Sequence, residues 1–232
     1  MLNVECSDWF ILNSGKCAPA FNMALDDALL EAMPRLRRPA LRFYGWTEPA
    51  ATFGYFQKFS EVESATLLRP LVRRPTGGGI VPHDADWTYS LAFPTGHEWY
   101  ALKAVESYQR VHEWIQRAFA KLKVATELAP CCKKSLPGQC FVGHEKSDLL
   151  WHGKKIAGAA QRRTREGLLI QGSVQPPLIS LVREDFESAM SEVAREEWVR
   201  AGVEFALDAS LTQRVEELVR EKYAAVAFNQ KR

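Results

Sequence analysis

A glycine-rich segment in the first half of the chain has the residue types of a turn that binds anions or carbonyl groups. The segment contains, in order, Arg73, Arg74, Thr76, Gly77, Gly78, Gly79 and His83. Three consecutive glycines let the backbone approach a ligand closely, and the N–H groups of such a turn can bind phosphate, carboxylate or carbonyl oxygen. The arginine pair would add charge-assisted hydrogen bonds. A flexible hairpin turn beside solvated arginines fits the same residues, so spacing alone leaves both interpretations open.

His83 and Asp84 are adjacent, and such a pair could form a catalytic dyad or ligate a metal ion. No second histidine lies at ligand spacing, and Cys131 and Cys132 are neighbours instead of being separated by two residues as in a zinc site. We therefore expect no metal site, and we interpret His83 as a hydrogen-bonded histidine.

A lysine flanked by small and apolar residues is the second candidate. Lys155 lies between Gly153 and Gly158, with Ala159 following. At the start of a strand such a lysine would face a dry cleft, where its ammonium group can polarise a carbonyl. Strand alternation would place Lys154 on the opposite face. A turn lysine in water is the alternative interpretation.

Cys140 is the candidate nucleophile. It lies in a loop rich in proline and glycine, ahead of the strand that contains Lys155. A cysteine near cationic groups has a lowered pKa, and its thiolate can exchange acyl groups with a thioester. Without such neighbours, a small buried hydrophobic residue is the simpler interpretation.

The hydrophobic pattern predicts the elements that would position these residues. We predict helices at about 20–33, ended by Pro34, and at about 99–122. Short strands at 147–151, 155–161 and 168–171 are typical of a meander. Two closing helices follow at about 183–202 and 211–227, the second capped by Ser210.

This order of elements favours one α+β domain with a mixed or antiparallel sheet. The closing helices, at about 183–227, either pack on that sheet or form a small appendage. The chain has 232 residues, of which 47% are hydrophobic and 25% charged, close to the averages for globular proteins, so the composition disfavours disorder, collagen and coiled coil.

Charge and cysteine usage limit the partners and the compartment. Thirty basic against 28 acidic residues give a net charge of +2, which favours neither nucleic acid nor a membrane surface.

No apolar run approaches the ~20 residues of a membrane span, and Glu5 and Asp8 lie where a signal peptide would be basic and then apolar. Five cysteines, an odd number, indicate reduced thiols. We expect a cytoplasmic protein.

Four segments of the chain resemble one superfamily. Residues 73–84 look like the Arg-Arg-x-Ser/Thr-Gly-Gly-Gly-x-Val-x-His-Asp signature of the lipoate-protein ligases and octanoyltransferases, and residues 153–158 resemble their Gly-x-Lys-Ile/Val-x-Gly segment. Residues 22–29 are similar to the first helix of that superfamily, and residues 53–57 to the strand end that follows. The resemblance fades after about Val174, so periodicity alone predicts the closing helices.

The resemblance implies a fold, an activity and a set of site residues. It implies a single catalytic domain over residues 1–232, with an α+β fold in which a large mixed, mostly antiparallel sheet is flanked by helices. Members of the superfamily move octanoyl or lipoyl groups onto a lysine of a lipoyl domain. Carried over to this chain, the signatures imply that substrate is bound by the glycine-rich segment together with Gly158 and Ala159.

Two chemistries occur within the superfamily. Ligases activate free lipoate or octanoate with ATP and magnesium as an acyl-adenylate, whereas cysteine-dependent octanoyltransferases take the acyl group from acyl carrier protein. Cys140-Phe141 and residues 148–173 resemble the transferases, in which this cysteine is the acylated nucleophile. Gly79 looks more like the ligases, and Gln171-Gly172-Ser173 lacks the histidine of the family's Gln-His-Gly-Ser.

The resemblance therefore implies an octanoyltransferase that needs no cofactor. Cys140 would attack an octanoyl thioester while Lys155 and the N–H groups of residues 76–79 stabilise the oxyanion, and a lipoyl-domain lysine would then take the acyl group. Three alternatives stay open: an ATP-dependent lipoate or biotin ligase, a transferase acting between two lipoyl domains, and a catalytically silent protein that binds lipoyl domains.

Overall fold

A large mixed sheet is the frame of the protein in the computed structural model, which describes residues 7–134, 138, 141, 143–177 and 179–231. Within those residues the strands are β1 (Ser7–Cys17), β2 (Ala40–Trp46), β3 (Ala50–Phe53), β4 (Leu71–Arg73), β5 (Val81–His83), β6 (Trp87–Pro94), β7 (Glu127–Leu128), β8 (Lys133–Lys134), β9 (Gly143–His144), β10 (Leu149–Trp151), β11 (Lys154–Arg163), β12 (Gly167–Val174) and β13 (Val199–Glu204). The helices are α1 (Pro19–Leu36), α2 (Phe59–Ala65), α3 (Glu98–Ala101), α4 (Ala104–Lys121), α5 (Arg183–Glu197), α6 (Ala209–Leu218) and α7 (Val226–Asn229), with a π-helical turn at Val219–Tyr223.

Eight strands form the main sheet, in the order β13-β1-β2-β6-β12-β11-β10-β7. Strand β1 is parallel to both of its neighbours, and the other pairings are antiparallel. The predicted α+β fold with a mixed, mostly antiparallel sheet is thus confirmed. The predicted meander is present as β10, β11 and β12. A separate three-stranded sheet, in the order β4-β3-β5, carries the glycine-rich segment between two of its strands.

Helices cover both faces of the main sheet. Along β6, Trp87, Tyr89, Leu91 and Phe93 are buried in one core together with residues of α4 and α5. The alternate residue Ala92 is buried in a second core with α1, and that core continues into α6 and the π-helical turn. This alternation follows from the pleat, which directs successive side chains to opposite faces of the sheet. Of the closing helices, α5 therefore lies over one face of the main sheet, whereas α6 packs on α1 over the other face.

Strand β13 is the part of the fold that periodicity predicted wrongly. The predicted helix at 183–202 ends at Glu197, and Val199–Glu204 pairs in parallel with β1 at the edge of the sheet. A helical charge pattern upstream gives no sign that the following residues pair with a distant edge strand. The cap of α6 is also different from the prediction: the Asp208 side chain, not Ser210, accepts a hydrogen bond from the Leu211 N–H at 2.8 Å.

The two long helices also differ in detail from the prediction. Pro34 does not end α1, which continues to Leu36, because a proline in the last turn removes only one hydrogen bond near the helix end. The predicted helix at 99–122 is divided into α3 and α4, and the Lys103 N–H at the start of α4 is capped by the Glu106 carboxylate at 2.8 Å. Among the described residues, no helix has both the length and the apolar character needed to cross a bilayer.

Candidate active site

A cavity of about 60 Å³ lies between the main sheet, α1 and the three-stranded sheet. This volume is smaller than that of common small-molecule sites, which are 300–1,000 Å³. Most of its lining is apolar or aromatic, with a few polar side chains. The lining residues are Met23, Tyr44, Trp46, Thr52, Arg74, Gly78, Val81, His83, Thr88, Phe141, Lys155, Gly158, Ala159, Ala160, Gln171, Gly172 and Ser173.

A buried ion pair brings a positive charge into this cavity. Lys155 Nζ lies 2.7 Å from Asp148 Oδ2, and the two side chains are only 8% and 7% exposed. The same carboxylate oxygen accepts a hydrogen bond from the Glu145 N–H at 2.7 Å. The Phe141 ring lies over the ammonium group, 5.2 Å from Nζ to the ring centroid. A fixed, desolvated ammonium of this kind is suited to stabilise negative charge on a carbonyl oxygen.

A β-bulge explains why Lys155 faces the cavity. Leu149 pairs with Ala157 and Leu150 with Lys155, so Ile156 is an extra residue on β11. Ile156 and Ala157 are both buried in the core beneath the sheet, which leaves Lys155 and Gly158 on the cavity side together. In a regular strand, residues three positions apart would lie on opposite faces. The bulge therefore determines the position of the ammonium group.

The glycine-rich turn is held against the end of β3 by close backbone contact. A Cβ on Gly54 would overlap the Gly78 carbonyl oxygen, so the two backbones meet where only glycine fits. The Tyr55 N–H donates to the Thr76 carbonyl at 2.9 Å, and the Gly78 φ of +86° is in the region that favours glycine. This contact gives the turn a fixed place beside the cavity.

The two arginines of the motif have different environments. Arg74 lines the cavity, and its Nε donates to the Gly77 carbonyl at 3.1 Å, which closes the turn. Arg73 is fully buried away from the cavity. Its guanidinium donates to backbone carbonyls of two segments, at residues 55, 57, 228 and 229. Arg73 thus joins the C-terminal segment to β4 and the loop after β3.

A buried polar network connects α1 with the glycine-rich turn. The Asp26 carboxylate pairs with Arg42 at 2.7 Å and accepts a hydrogen bond from the Gln171 side-chain amide at 2.7 Å. The Gln171 oxygen in turn accepts from the Thr76 hydroxyl at 2.7 Å. Because the Asp26 carboxylate can only accept, the Gln171 amide nitrogen must face it, and the amide orientation is fixed. Thr76 is therefore positioned through its contact with Gln171.

His83 belongs to a hydrogen-bonded chain, but its partner is Asp86 and not the adjacent Asp84. His83 Nδ1 lies 2.8 Å from Asp86 Oδ2, and Nε2 lies 2.8 Å from Thr52 Oγ1. The imidazole is stacked on Trp46, with ring centroids 3.8 Å apart. Asp84 is exposed. The interpretation of His83 as a hydrogen-bonded histidine agrees with this geometry.

The cavity brings together six of the residues that the sequence singled out: Arg74, Gly78, His83, Lys155, Gly158 and Ala159. Arg73, Thr76, Gly77 and Gly79 do not line it, and Cys140 lies outside the described residues. The sequence assigned no role to five further residues at the site: Trp46, Thr52, Asp86, Asp148 and Gln171. Three of them lie in paired strands, and the two aspartates directly precede β6 and β10. Within the described ranges, no three or more histidine, cysteine, aspartate or glutamate side chains form a group that could hold a metal ion.

An apolar cavity with a buried ammonium group and a glycine-rich turn at its wall suits a ligand that has an apolar body and a negatively polarised end. The chain belongs to the family described as "Lipoyl protein ligase A/B catalytic domain", which it matches over residues 18–221. The family is defined by a catalytic domain, so this chain is a member of an enzyme family.

Two similar curated proteins carry the name octanoyltransferase LipM. The protein of Anoxybacillus flavithermus is 36% identical over 185 residues, which are 74% of this chain and 66% of that protein. The protein of Lysinibacillus sphaericus is 33% identical over 205 residues, which are 81% of this chain and 74% of that protein. The chain thus matches about two thirds to three quarters of the length of these relatives.

A solved structure with the same fold comes from Thermoplasma acidophilum. It is described as a bi-partite lipoate protein ligase of an archaeal lipoylation system, together with its E2 lipoyl domain. The superposition has a TM-score of 0.72 at 17% identity and covers 97% of this chain and 96% of the other. At that identity the similarity shows the common fold.

Proposed function

We propose that this protein is an octanoyltransferase that moves an octanoyl group from an acyl carrier protein thioester, through Cys140, to a lysine of a lipoyl domain. The observation that carries the proposal is the buried Lys155–Asp148 pair at the wall of an apolar cavity. The curated relatives named octanoyltransferase support the same acyl group, and the lipoyl domain of the archaeal system supports the acceptor.

The loop that contains Cys140 in the sequence reaches the site at its described residues. The Gly138 carbonyl accepts hydrogen bonds from the Ile80 N–H at 2.8 Å and from the Gln57 side chain at 3.0 Å. Phe141 lines the cavity beside Lys155. A cysteine activated near a cationic side chain is a suitable nucleophile for a thioester.

The proposed reaction has two acyl transfers. In the first, the Cys140 thiolate attacks the thioester carbonyl, a new C–S bond forms, and the carrier thiolate leaves. In the second, the lysine amine attacks, a C–N bond forms, and the bond to the Cys140 sulfur breaks. The Lys155 ammonium and the backbone N–H groups of the glycine-rich turn stabilise the oxyanion in both steps. The first step exchanges one thioester for another of similar free energy, and the second replaces a thioester with a more stable amide. Neither step therefore needs a nucleotide.

The apolar lining of the cavity suits the hydrocarbon chain of the acyl group. Burial of about seven CH₂ and CH₃ groups at ~0.8 kcal/mol each contributes roughly 5–6 kcal/mol before ordering costs. Met23, Tyr44 and Trp46 supply apolar and aromatic surface for such a chain. This gain favours medium-length chains over short ones.

A second candidate function is an ATP-dependent lipoate ligase. The third glycine, Gly79, favours it because the ligases carry glycine at this place, and the archaeal protein with the same fold is described as a ligase. In that case Arg74 and the glycine-rich turn would hold the phosphate of an acyl-adenylate, with ATP and magnesium as the cosubstrates.

The two functions differ in the donor they require. Octanoyl-acyl carrier protein and a lipoyl domain are incubated with the protein, with and without Mg-ATP, and the acylated lipoyl domain is measured by mass spectrometry. We expect transfer that ATP does not change. Transfer only from free lipoate or octanoate, with ATP-dependent release of pyrophosphate, would establish the ligase instead. No transfer from either donor would leave a binding protein for lipoyl domains.

A further inference from the structure

Three buried side chains connect the acyl cavity with a second, polar cleft. Thr52 Oγ1, His83 and Asp86 form a chain with two contacts of 2.8 Å each. Thr52 and His83 line the acyl cavity. His83 and Asp86 line the polar cleft, which also contains Lys16, Glu48, Asp84 and Arg183. The stacked rings of Trp46 and His83 therefore separate the two spaces.

The hydrogen bonds of this chain have a defined direction. A carboxylate only accepts, so His83 Nδ1 carries the proton that it donates to Asp86. In the neutral imidazole the other nitrogen, Nε2, is then an acceptor, and the Thr52 hydroxyl donates to it. Of the two lone pairs of Thr52 Oγ1, one accepts a long hydrogen bond of 3.5 Å from Arg74 Nη1. The other is left to accept a hydrogen bond from a group in the acyl cavity, which Thr52 lines. The chain is thus arranged to accept a proton from a group in the cavity.

We propose that Thr52, His83 and Asp86 form a proton relay that deprotonates the lysine amine of the acceptor. The inference rests on the proposed function, in which a lysine side chain attacks an acyl carbonyl. Such a lysine has an ordinary pKa of about 10.4, so at neutral pH it arrives as an ammonium ion without a lone pair. It must lose one proton before a C–N bond can form.

The proton balance of the step is complete with these three residues and the acyl thioester. Thr52 Oγ1 takes a proton from the ammonium group while it gives its own proton to His83 Nε2. The neutral amine attacks the carbonyl carbon, the C–N bond forms, and the C–S bond breaks. The leaving thiolate takes the second proton from nitrogen. The His83 imidazolium then returns its extra proton through Thr52 or releases it to solvent in the polar cleft.

Asp86 is well placed to balance the transient charge on His83. Its Oδ2 also accepts hydrogen bonds from Ser173 at 2.7 Å and from Thr88 at 3.0 Å, so the carboxylate is held in one orientation. Its Oδ1 is buried and has no hydrogen-bond partner among the described residues. On the cavity side, Arg74 Nη1 lies 3.5 Å from Thr52 Oγ1. A positive charge on His83 is therefore offset by a fixed negative charge and not by bulk water.

Single-turnover measurements on full-length protein test the relay. Octanoyl loading from octanoyl-acyl carrier protein and delivery to a lipoyl domain are measured separately, for Thr52→Val, Thr52→Ser and His83→Gln. Loading needs no proton from the amine, so we expect it to fall much less than delivery does. Delivery should fall about 10²-fold or more in Thr52→Val and His83→Gln, in line with loss of a general base. Thr52→Ser keeps the hydroxyl and should restore delivery.

Reaction of the acylated protein with a second nucleophile corrects for any difference between variants in the fraction of protein that is folded. Hydroxylamine is largely unprotonated at neutral pH, so it needs no relay. For Thr52→Val and His83→Gln, the rate of delivery to the lipoyl domain divided by the rate of reaction with hydroxylamine should fall about 10²-fold relative to the unchanged protein. For Thr52→Ser this ratio should stay close to that of the unchanged protein. With the acceptor lysine, the loss should shrink as the pH rises toward the pKa of the free amine. His152→Asn, in an exposed turn, is the matched histidine control and should leave the ratio unchanged.

Two outcomes would overturn the relay. If loading and delivery fall equally in Thr52→Val and His83→Gln, with an unchanged hydroxylamine ratio, the three residues have a structural role only. If neither step falls, they have no role in the reaction. Failure of the proposed function is a different result, because the unchanged protein would then transfer no octanoyl group to the lipoyl domain.

Discussion

The Lys155 ammonium group occupies the space that the Cβ atom of any residue other than glycine would need at position 158. A Cβ on Gly158 would lie 2.7 Å from Lys155 Nζ and 2.6 Å from Cε. The absence of a side chain at Gly158 therefore allows the contact between Lys155 and Asp148. This explains in physical terms why a lysine and a glycine three residues apart occur together in the motif.

Gly158→Ala should displace the ammonium group without unfolding the protein. The new methyl group collides with the flexible end of a lysine, which can move, so stability should change little. A displacement of about 1 Å in a catalytic group can lower a rate about 10²-fold, and we expect a loss of that order in octanoyl transfer. Gly96→Ala is the matched control, because a Cβ there meets nothing within 4 Å. Equal activity in both variants would show that the position of Lys155 does not matter.

Lys155→Ala should slow both the loading of the protein and the delivery of the acyl group. The same ammonium serves the oxyanion in each step, and loss of one preorganised donor lowers a rate by about 10²–10³-fold. Rates of the two half-reactions, measured on protein shown to be folded by circular dichroism, check this. Lys154→Ala is the companion variant, since Lys154 is exposed on the other side of the strand. An equal loss of rate in the two variants would contradict the placement of Lys155, and not Lys154, in the cavity.

Arg73→Ala should act on stability more than Arg74→Ala does. Removal of the Arg73 guanidinium leaves backbone carbonyls of two segments without their donor. A buried group left unsatisfied costs about 1–3 kcal/mol, so we expect a loss of about 3 kcal/mol or more in the free energy of unfolding. Urea unfolding measures it. An Arg73→Ala protein that is as stable as the parent but inactive would instead indicate a direct contact with substrate.

The buried His112 on α4 should make the protein less stable at mildly acidic pH. Burial lowers the pKa of His112 to about 4, whereas an unfolded histidine has a pKa of about 6.5. Between those values only the unfolded chain binds the proton, so stability is full above about pH 6.5 and falls as the pH drops toward 4. From pH 7.5 to 5 the loss from this group is about 2 kcal/mol.

His112→Leu should make the pH dependence of stability shallower by about the same 2 kcal/mol. The free energy of unfolding in urea, measured at pH 7.5 and pH 5 for both proteins, gives the difference. His97, whose pKa burial also lowers to about 4, remains in both proteins and cancels in this comparison. A variant with the same slope as the parent would show that His112 does not titrate in this range.

The sequence was sufficient for those parts of the site that depend on local residue types. The glycine-rich turn, Lys155 and the meander could be predicted because glycine, lysine and strand patterns leave local signals. The bulge at Ile156 could not, since one extra residue in a strand has no pattern of its own. Asp86, and not Asp84, pairs with His83 because the chain turns between β5 and β6. Long-range pairing also explains why β13 and Asp148 were not predicted.

In the proposed reaction the acyl group passes through Cys140. The most direct test of this step is the intact mass of the protein after incubation with octanoyl-acyl carrier protein and without an acceptor. We predict an added mass of one octanoyl group on the peptide that contains Cys140, present in Cys131→Ser and in Cys132→Ser but absent in Cys140→Ser. If Cys140 carries no acyl group, and free octanoate with Mg-ATP releases pyrophosphate, the transferase account is wrong.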